Sequence, residues 1–269
     1  MRPVAPYIGG KRNLASRVIE RIEQIPHELY AEPFVGMGGV FLRRPNRAKC
    51  EVINDLSGDV ANFFRVLQRH YNAFMDMLSW QVTSREHFER LVATPAESLT
   101  DLERAARFLY LQRLAFGGKV SGRNFGVSRT SPARFDVTKL TPMLTDVHER
   151  LAGVTIERMR WADLLRRYDR PGALFYLDPP YFGCEGDYGK ELFDRSEFQE
   201  MAELLDTIKG SFILSLNDLP EVRCIFARFT IEAVPVRYSV GGAANAGVFG
   251  EVIISKNNFV TEGGASGTQ

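Results

Sequence analysis

Apolar positions along the chain change period several times. Leu14, Val18, Ile22 and Ile25 recur at helical spacing and predict a first helix over residues 11–25. Residues 29–35 read as a strand that ends in the turn Gly36-Met37-Gly38-Gly39, after which Val40, Phe41 and Leu42 begin a short helix. A second strand, over 50–54, ends at Asp55 and leads into a helix that reaches about residue 69. Strand, turn, helix and strand in this order open a nucleotide-binding α/β layer.

From there to about residue 150 the period is helical. Helices are predicted over 71–80, 84–91, 101–116 and 138–151, with a glycine-rich loop before the last and no parallel strand among them. The α/β alternation then resumes with a strand over 154–157, a helix over 161–168 and the apolar run 173–177, which reads as a central buried strand. Asp194, with Glu197 three residues on, caps a helix whose apolar face is Phe198, Met201, Leu205 and Ile208. Residues 212–216 form another buried strand, and 229–236 with 247–255 form a terminal antiparallel hairpin. The expectation is a discontinuous α/β domain, 1–67 with 152–260, split by a mostly helical insertion over 68–151 and followed by a disordered Gly-rich tail, 261–269.

Composition narrows the class. The 269 residues are 45% hydrophobic and 25% charged, which suits a soluble domain with a full core. No run approaches the roughly 18 apolar residues of a membrane span, and Met1-Arg2-Pro3-Val4-Ala5-Pro6 lacks the apolar core of a secretory signal, so a cytoplasmic protein with no membrane partner is expected. Cys50, Cys184 and Cys224 make neither a disulfide framework nor a zinc pattern, and the four histidines have no ligand spacing, so no metal is expected. A net charge of +1 argues against binding a polyanion by bulk electrostatics; contact has to come from a local cluster. Residues 117–135 supply one: Lys119, Arg123, Arg129 and Arg134, interleaved with Asn124 and Phe125, and no Asp or Glu. Alone, such a stretch reads as a solvated loop.

Four short motifs carry chemistry. Asp178-Pro179-Pro180-Tyr181 follows the predicted central strand directly, at the carboxyl end where open α/β sheets bind ligands. An exocyclic amine on a purine is a poor nucleophile because its lone pair is delocalised into the ring. A carboxylate and a backbone carbonyl fixed by two prolines can accept both amine hydrogens and favour tetrahedral nitrogen, while a tyrosine ring offers a stacking face. In Glu32-Pro33-Phe34-Val35-Gly36-Met37-Gly38 the glycines let a cofactor approach the backbone. Phe41 stands where a G-x-G-x-x-G dinucleotide fingerprint needs a small residue, which argues against a dehydrogenase. Asp55 ends the next strand, where an acid can accept from ribose hydroxyls or cap the helix that follows. Tyr7-Ile8-Gly9-Gly10-Lys11 sets a glycine pair between an aromatic ring and a cation.

Together these motifs, with Ser215-Leu216-Asn217-Asp218, resemble the Dam-type family of DNA adenine N6-methyltransferases over nearly the whole chain before the tail. The resemblance implies a Rossmann-like methyltransferase sheet and a target-recognition insertion. It implies S-adenosyl-L-methionine as cofactor, held by Tyr7, Gly10, Lys11, Pro33, Phe34, Gly36, Gly38, Asp55 and Asp178. Asp178, Pro179, Pro180 and Tyr181 would act on a flipped adenine, and Lys119, Arg123, Asn124, Phe125, Arg129 and Arg134 would contact double-stranded DNA. A cognate restriction endonuclease is a candidate partner. The same tetrapeptide chemistry would serve adenine in RNA or the N4 of cytosine, and a catalytically idle DNA-binding relative would keep the fold. One departure from the family pattern is Gly241-Gly242-Ala243-Ala244-Asn245-Ala246-Gly247, without the lysines or arginines many members carry in the final hairpin, which implies weak phosphate grip there.

Overall fold

A computed structural model describes residues 1–7, 14–126, 130, 132–183, 193–237 and 248–256. Gly10, Lys11, Arg129, Cys184, the 241–247 segment and the 261–269 tail lie outside the described residues.

Seven strands form one sheet: β1 (Leu29–Glu32), β2 (Cys50–Asn54), β3 (Thr155–Glu157), β4 (Ala173–Leu177), β5 (Ser211–Asn217), β6 (Thr230–Arg237) and β7 (Val248–Ser255). Their spatial order is β3-β2-β1-β4-β5-β7-β6. Pairings from β3 across to β5 are parallel, and β7 runs antiparallel to both β5 and β6, which gives the expected terminal hairpin. β1 ends three residues earlier than its apolar run suggests: Pro33 has no N–H to donate to a ladder, although Val35 N still donates to Asn54 O at 2.9 Å.

β4 is buried along its whole length because it faces a layer on each side. Leu174 and Tyr176 point into one core with Tyr30, Ile53 and Ile213; Phe175 and Leu177 point into another with Ala31, Val52 and Leu214. The second core is covered by α7 (Trp161–Tyr168), α8 (Glu197–Thr207) and α9 (Pro220–Ile225). The first is covered by α1 (Ala15–Glu23) and α2 (Gly58–Arg69), and continues unbroken into α3 (Tyr71–Ser79), α4 (Arg85–Ala93), α5 (Asp101–Leu114) and α6 (Val137–Arg150). α5 is buried on nearly every side from Ala105 to Gln112, as a helix at the centre of a helical layer must be. Its start is fixed by a capping box between Thr100 and Glu103. Among the described residues no helix is long and apolar enough to cross a membrane.

Two local expectations change, and one helix is unexpected. Phe41–Arg43 is a single 3-10 turn, with Phe41 fully buried under the Arg150 guanidinium at 3.9 Å from the ring centroid. α8 begins at Glu197, two residues later than an Asp194 cap implies. The Asp194 carboxylate accepts from Ser196 N at 2.9 Å, which closes a turn ahead of the helix, while Glu197 accepts from Asp194 N at 3.3 Å. α9, only six residues long and opened by Pro220, carries too few apolar repeats to be read from the sequence.

Candidate active site

Strand order reverses between β1 and β4: one neighbour leads back to β2 and the other onward to β5. Connections leave these two carboxyl ends in opposite directions and open a crevice, the usual ligand position in such sheets.

The turn after β1 forms one wall. Gly36 has φ +50°, a left-handed conformation that suits glycine, and a Cβ there would lie 3.1 Å from the Tyr7 ring. Its N–H donates to Asp55 Oδ2 at 3.0 Å, and Ser57 N donates to Asp55 Oδ1 at 2.9 Å. Asn54, 1% exposed, ties the neighbouring strand ends together. Its Nδ2 donates to Pro33 O at 2.8 Å and Met159 O at 3.0 Å, and its Oδ1 accepts from Met159 N at 2.9 Å.

The residues after β4 form the facing wall. Ser215 Oγ donates to Asp178 Oδ1 at 3.1 Å and shares a 2.9 Å hydrogen bond with the buried Tyr176 hydroxyl. Asn217 holds the following backbone from β5: its Oδ1 accepts from Phe182 N and its Nδ2 donates to Phe182 O, both at 3.0 Å. Tyr181 donates its hydroxyl to Glu251 Oε1 on β7 at 2.7 Å, and burial together with that carboxylate pushes the phenol well above its ordinary pKa.

A cavity of about 830 Å³ separates the walls, and Tyr7, Phe34, Gly36, Asp55, Asp178 and Pro180 all line it. That volume suits a nucleotide-sized ligand. Of the other residues singled out in the sequence, Pro33, Gly38, Pro179 and Tyr181 neighbour lining residues in the chain without lining the cavity themselves. Glu32 also faces the cavity, although it is 1% exposed; Tyr30 donates to its Oε1 at 2.6 Å. Burial raises the Glu32 carboxyl to about 8, with the charge of Asp178 adding to the rise and the Tyr30 hydrogen bond opposing it. Burial likewise raises Asp55 to about 6 against the lowering effect of its two N–H donors.

The basic loop is a hairpin springing from the end of α5. Phe116 N donates to Asn124 O at 2.9 Å, Gly126 N donates to Leu114 O at 2.8 Å, and Ala115 bridges Phe125 in antiparallel fashion. Lys119, Asn124 and Arg134 are exposed. Phe125 packs on Phe88 at 5.3 Å between ring centroids, with the Arg85 guanidinium over its ring. Arg123 turns inward and lines the cavity; its Nε donates to Lys119 O at 3.2 Å and its Nη2 to Gln112 Oε1 at 3.4 Å.

Glu32 and Ser215 stand in the named motifs without a role of their own, and Tyr176 and Glu251 stand in none; Glu32 and Tyr176 line the cavity, and Ser215 and Glu251 hold Asp178 and Tyr181. Their signal in the sequence is the same for each: a polar or hydroxyl group inside a run of apolar strand positions, where it needs a partner.

Three relatives align along most of this chain. It is 25% identical over 279 residues to the type II methyltransferase M1.LlaDCHI of Lactococcus lactis subsp. cremoris, covering 95% of each chain. Identity to the type II methyltransferase M.CviBI of Paramecium bursaria Chlorella virus NC1A is 20% over 228 residues, covering 84% of this chain and 86% of that one. A DNA N-6-adenine-methyltransferase of Escherichia phage P1 is 24% identical over 255 residues, or 89% of this chain and 33% of that longer one. The family model of D12 class N6 adenine-specific DNA methyltransferases matches residues 7–240, from the aromatic ring on Gly36 past the last parallel strand, and the chain belongs to that family.

Proposed function

We propose that this DNA adenine-N6 methyltransferase holds S-adenosyl-L-methionine in the cavity between β1 and β4, and acts at a specific site on adenine flipped out of double-stranded DNA. The observation that carries the reading is the meeting of Asp178 with the Gly36–Asp55 hydrogen bond on one cavity. The donor set fits the cofactor. Asp55 has both oxygens anchored by backbone N–H groups and can accept from ribose hydroxyls; Phe34 offers an apolar face; and the carboxylate of Asp178 on the same cavity would offset the cofactor's positive charge. Tyr7 packs over Gly36 and continues into Gly10 and Lys11, which we assign to the cofactor's amino-acid end.

When bound, S-adenosyl-L-methionine supplies a methyl group on positively charged sulfur. The chain's own work is to prepare the amine. Asp178 and the carbonyl of Pro179 accept the two amine hydrogens, which draws the nitrogen lone pair out of conjugation and toward the cavity. Pro179 and Pro180, both buried, fix the direction of those acceptors, and Tyr181 stacks on the base with its ring steered by Glu251. Flipping the base costs a few kcal/mol, about the cost of unstacking and unpairing one nucleotide.

Residues 68–151 are proposed as the target-recognition segment, with Lys119, Asn124 and Arg134 as its exposed contacts to DNA and Arg129 and Phe125 as further members. Two relatives are type II methyltransferases, which favours a restriction-modification role with a cognate endonuclease, in the cytoplasm of a bacterial or phage-infected cell.

The test offers methyl-labelled S-adenosyl-L-methionine with duplex DNA, RNA and free adenosine to the wild type and to Asp178→Ala. Label should enter duplex DNA alone, and the variant should transfer none. Transfer to RNA or nucleoside at the duplex rate, or an active Asp178→Ala, overturns the reading. Sequencing the product for N6-methyladenine maps the site.

A further inference from the structure

Gln112 is fully buried near the end of α5, and its amide joins segments that are otherwise separate. Its Nε2 donates to Pro6 O at 2.8 Å and to Gly118 O at 2.6 Å, and its Oε1 accepts from Arg123 at 3.4 Å. Pro6 directly precedes Tyr7; Gly118 and Arg123 belong to the hairpin. The two segments touch closely. Gly118 has φ +70°, and a Cβ there would meet Pro6 C and Tyr7 N at 3.2 Å. The next residue ties the strap to the segment that follows the hairpin, since Arg113 Nη1 donates to Val4 O at 3.0 Å while its Nε donates to Arg134 O at 2.9 Å.

Helix α5 needs none of these bonds for its own backbone. What they accomplish is to make the N-terminal strap and the hairpin one body, with Tyr7 and Arg123 facing the cavity and Lys119 and Asn124 facing outward. We propose that Gln112 is a positioning residue through which occupation of the cavity and engagement of DNA by the 116–126 hairpin strengthen each other. A ligand that orders Tyr7 and Arg123 also orders Lys119 and Asn124, so part of the cost of fixing the DNA-facing side chains is met before DNA arrives. Linkage makes the effect reciprocal: DNA must tighten the cavity's hold on its ligand by the same factor. The inference rests on the proposed cofactor site and DNA-facing hairpin.

Calorimetry gives the Kd of S-adenosyl-L-homocysteine, the product left after methyl transfer and so unable to react, with and without a saturating duplex that carries the mapped site. For the wild type the duplex should lower that Kd by about tenfold, within the usual range of coupling factors. Gln112→Met fills the same space without the amide, and Gly118→Ala pushes the joint apart from the hairpin side. In each the ratio of the two Kd values should fall to within about twofold of one, with folding checked by thermal melting. Hydrogen exchange on the wild type adds a measurement that needs no variant: the cofactor alone should slow exchange at Phe116 and Gly126, whose amides close the hairpin. A wild-type ratio of one, unchanged exchange at those amides, or a folded variant with the wild-type ratio overturns the proposal. Failure of the wild type to bind S-adenosyl-L-homocysteine sinks the cofactor reading and this proposal with it; binding that ignores DNA sinks the coupling alone.

Discussion

Ser215 donates to Asp178 Oδ1 at 3.1 Å, so the carboxylate that faces the cavity is aimed by a hydroxyl from the neighbouring strand. A hydrogen bond to a charged group is worth about 1.5–3 kcal/mol. Here that value is spent on orientation. Ser215→Ala should lower kcat by about ten- to a hundredfold and leave the KM for the methyl donor within about threefold. Tyr176→Phe keeps the Ser215–Asp178 bond and should cost only a few-fold. Steady-state kinetics on both variants decide the matter, and a Ser215→Ala enzyme with wild-type kcat would show that the prolines suffice.

Glu32 makes stability depend on pH. Its carboxyl is raised from the ordinary 4.5 to about 8 in the folded chain, chiefly by burial. Below pH 4.5 it is protonated in both states and its contribution is complete. Between 4.5 and 8 the unfolded chain ionises while the folded chain keeps the proton, so stability falls as pH rises and the contribution is gone above 8. Glu32→Gln keeps a neutral group that can accept from Tyr30. It should lie within about 1 kcal/mol of the wild type near pH 5 and exceed it at pH 8 by roughly 4 kcal/mol, a rise of about 8–16 °C in Tm. Melting curves across that interval are the check. A difference between the two proteins that does not change with pH would mean Glu32 is not held neutral.

The parts of the site legible in the sequence are those punctuated by glycine and proline: the turn at Gly36, the end of β2 at Asp55 and the tetrapeptide at Asp178. Each stops a short apolar run, and three such stops at strand ends already point to one crevice. What brings them together is non-local. Nothing near Gly36 in the sequence announces that Tyr7 will lie against it, and the pairing of β1 with β4 spans about 140 residues. The polar clamps were hidden for a different reason. Gln112 occupies an ordinary helical position, and it stands out only once α5 is known to be buried on nearly every side, where an amide must find partners. Arg123 reads as one more cation in a basic loop until the fold turns it inward.

Glu51 holds two buried arginines at once. Arg44 Nη1 donates to its Oε1 at 3.2 Å and Arg150 Nη2 to the same oxygen at 2.8 Å, while Arg44 lies over Tyr30 and Arg150 over Phe41. All three charged side chains are at most 6% exposed, and the cluster fastens the end of α6 to β2 and to the 3-10 turn Phe41–Arg43 with its cap Arg44. Glu51→Gln leaves Arg150 without its counter-charge and Arg44 with only Glu23, 3.8 Å away, and should cost about 3–5 kcal/mol in urea unfolding. Replacing the group together, with Arg44→Met, Glu51→Leu and Arg150→Met, should restore most of that loss because no charge is then left buried. A single variant within about 1 kcal/mol of the wild type would mean that water reaches the cluster and screens it.

On the proposed reading, Asp55 sets the acid limit for cofactor binding. Burial raises its carboxyl to about 6, and both of its oxygens already accept from backbone N–H groups. Accepting further hydrogens from ribose hydroxyls requires the ionised form. Binding therefore favours deprotonation, and affinity is full above about 6 and lost as pH falls through it. Between pH 7 and pH 5 the ionised fraction drops about tenfold, and the Kd of S-adenosyl-L-methionine should rise by about the same factor. Neither its sulfonium nor its carboxylate titrates in that interval, so the slope belongs to the protein. Asp55→Asn should bind more weakly at pH 7 and show almost no slope, because the amide has no proton to lose. Calorimetric titrations at pH 5, 6 and 7 on the two proteins separate the outcomes. A wild-type Kd that stays flat, or an Asp55→Asn variant with the same slope, would move the ribose contact to another side chain on the cavity wall.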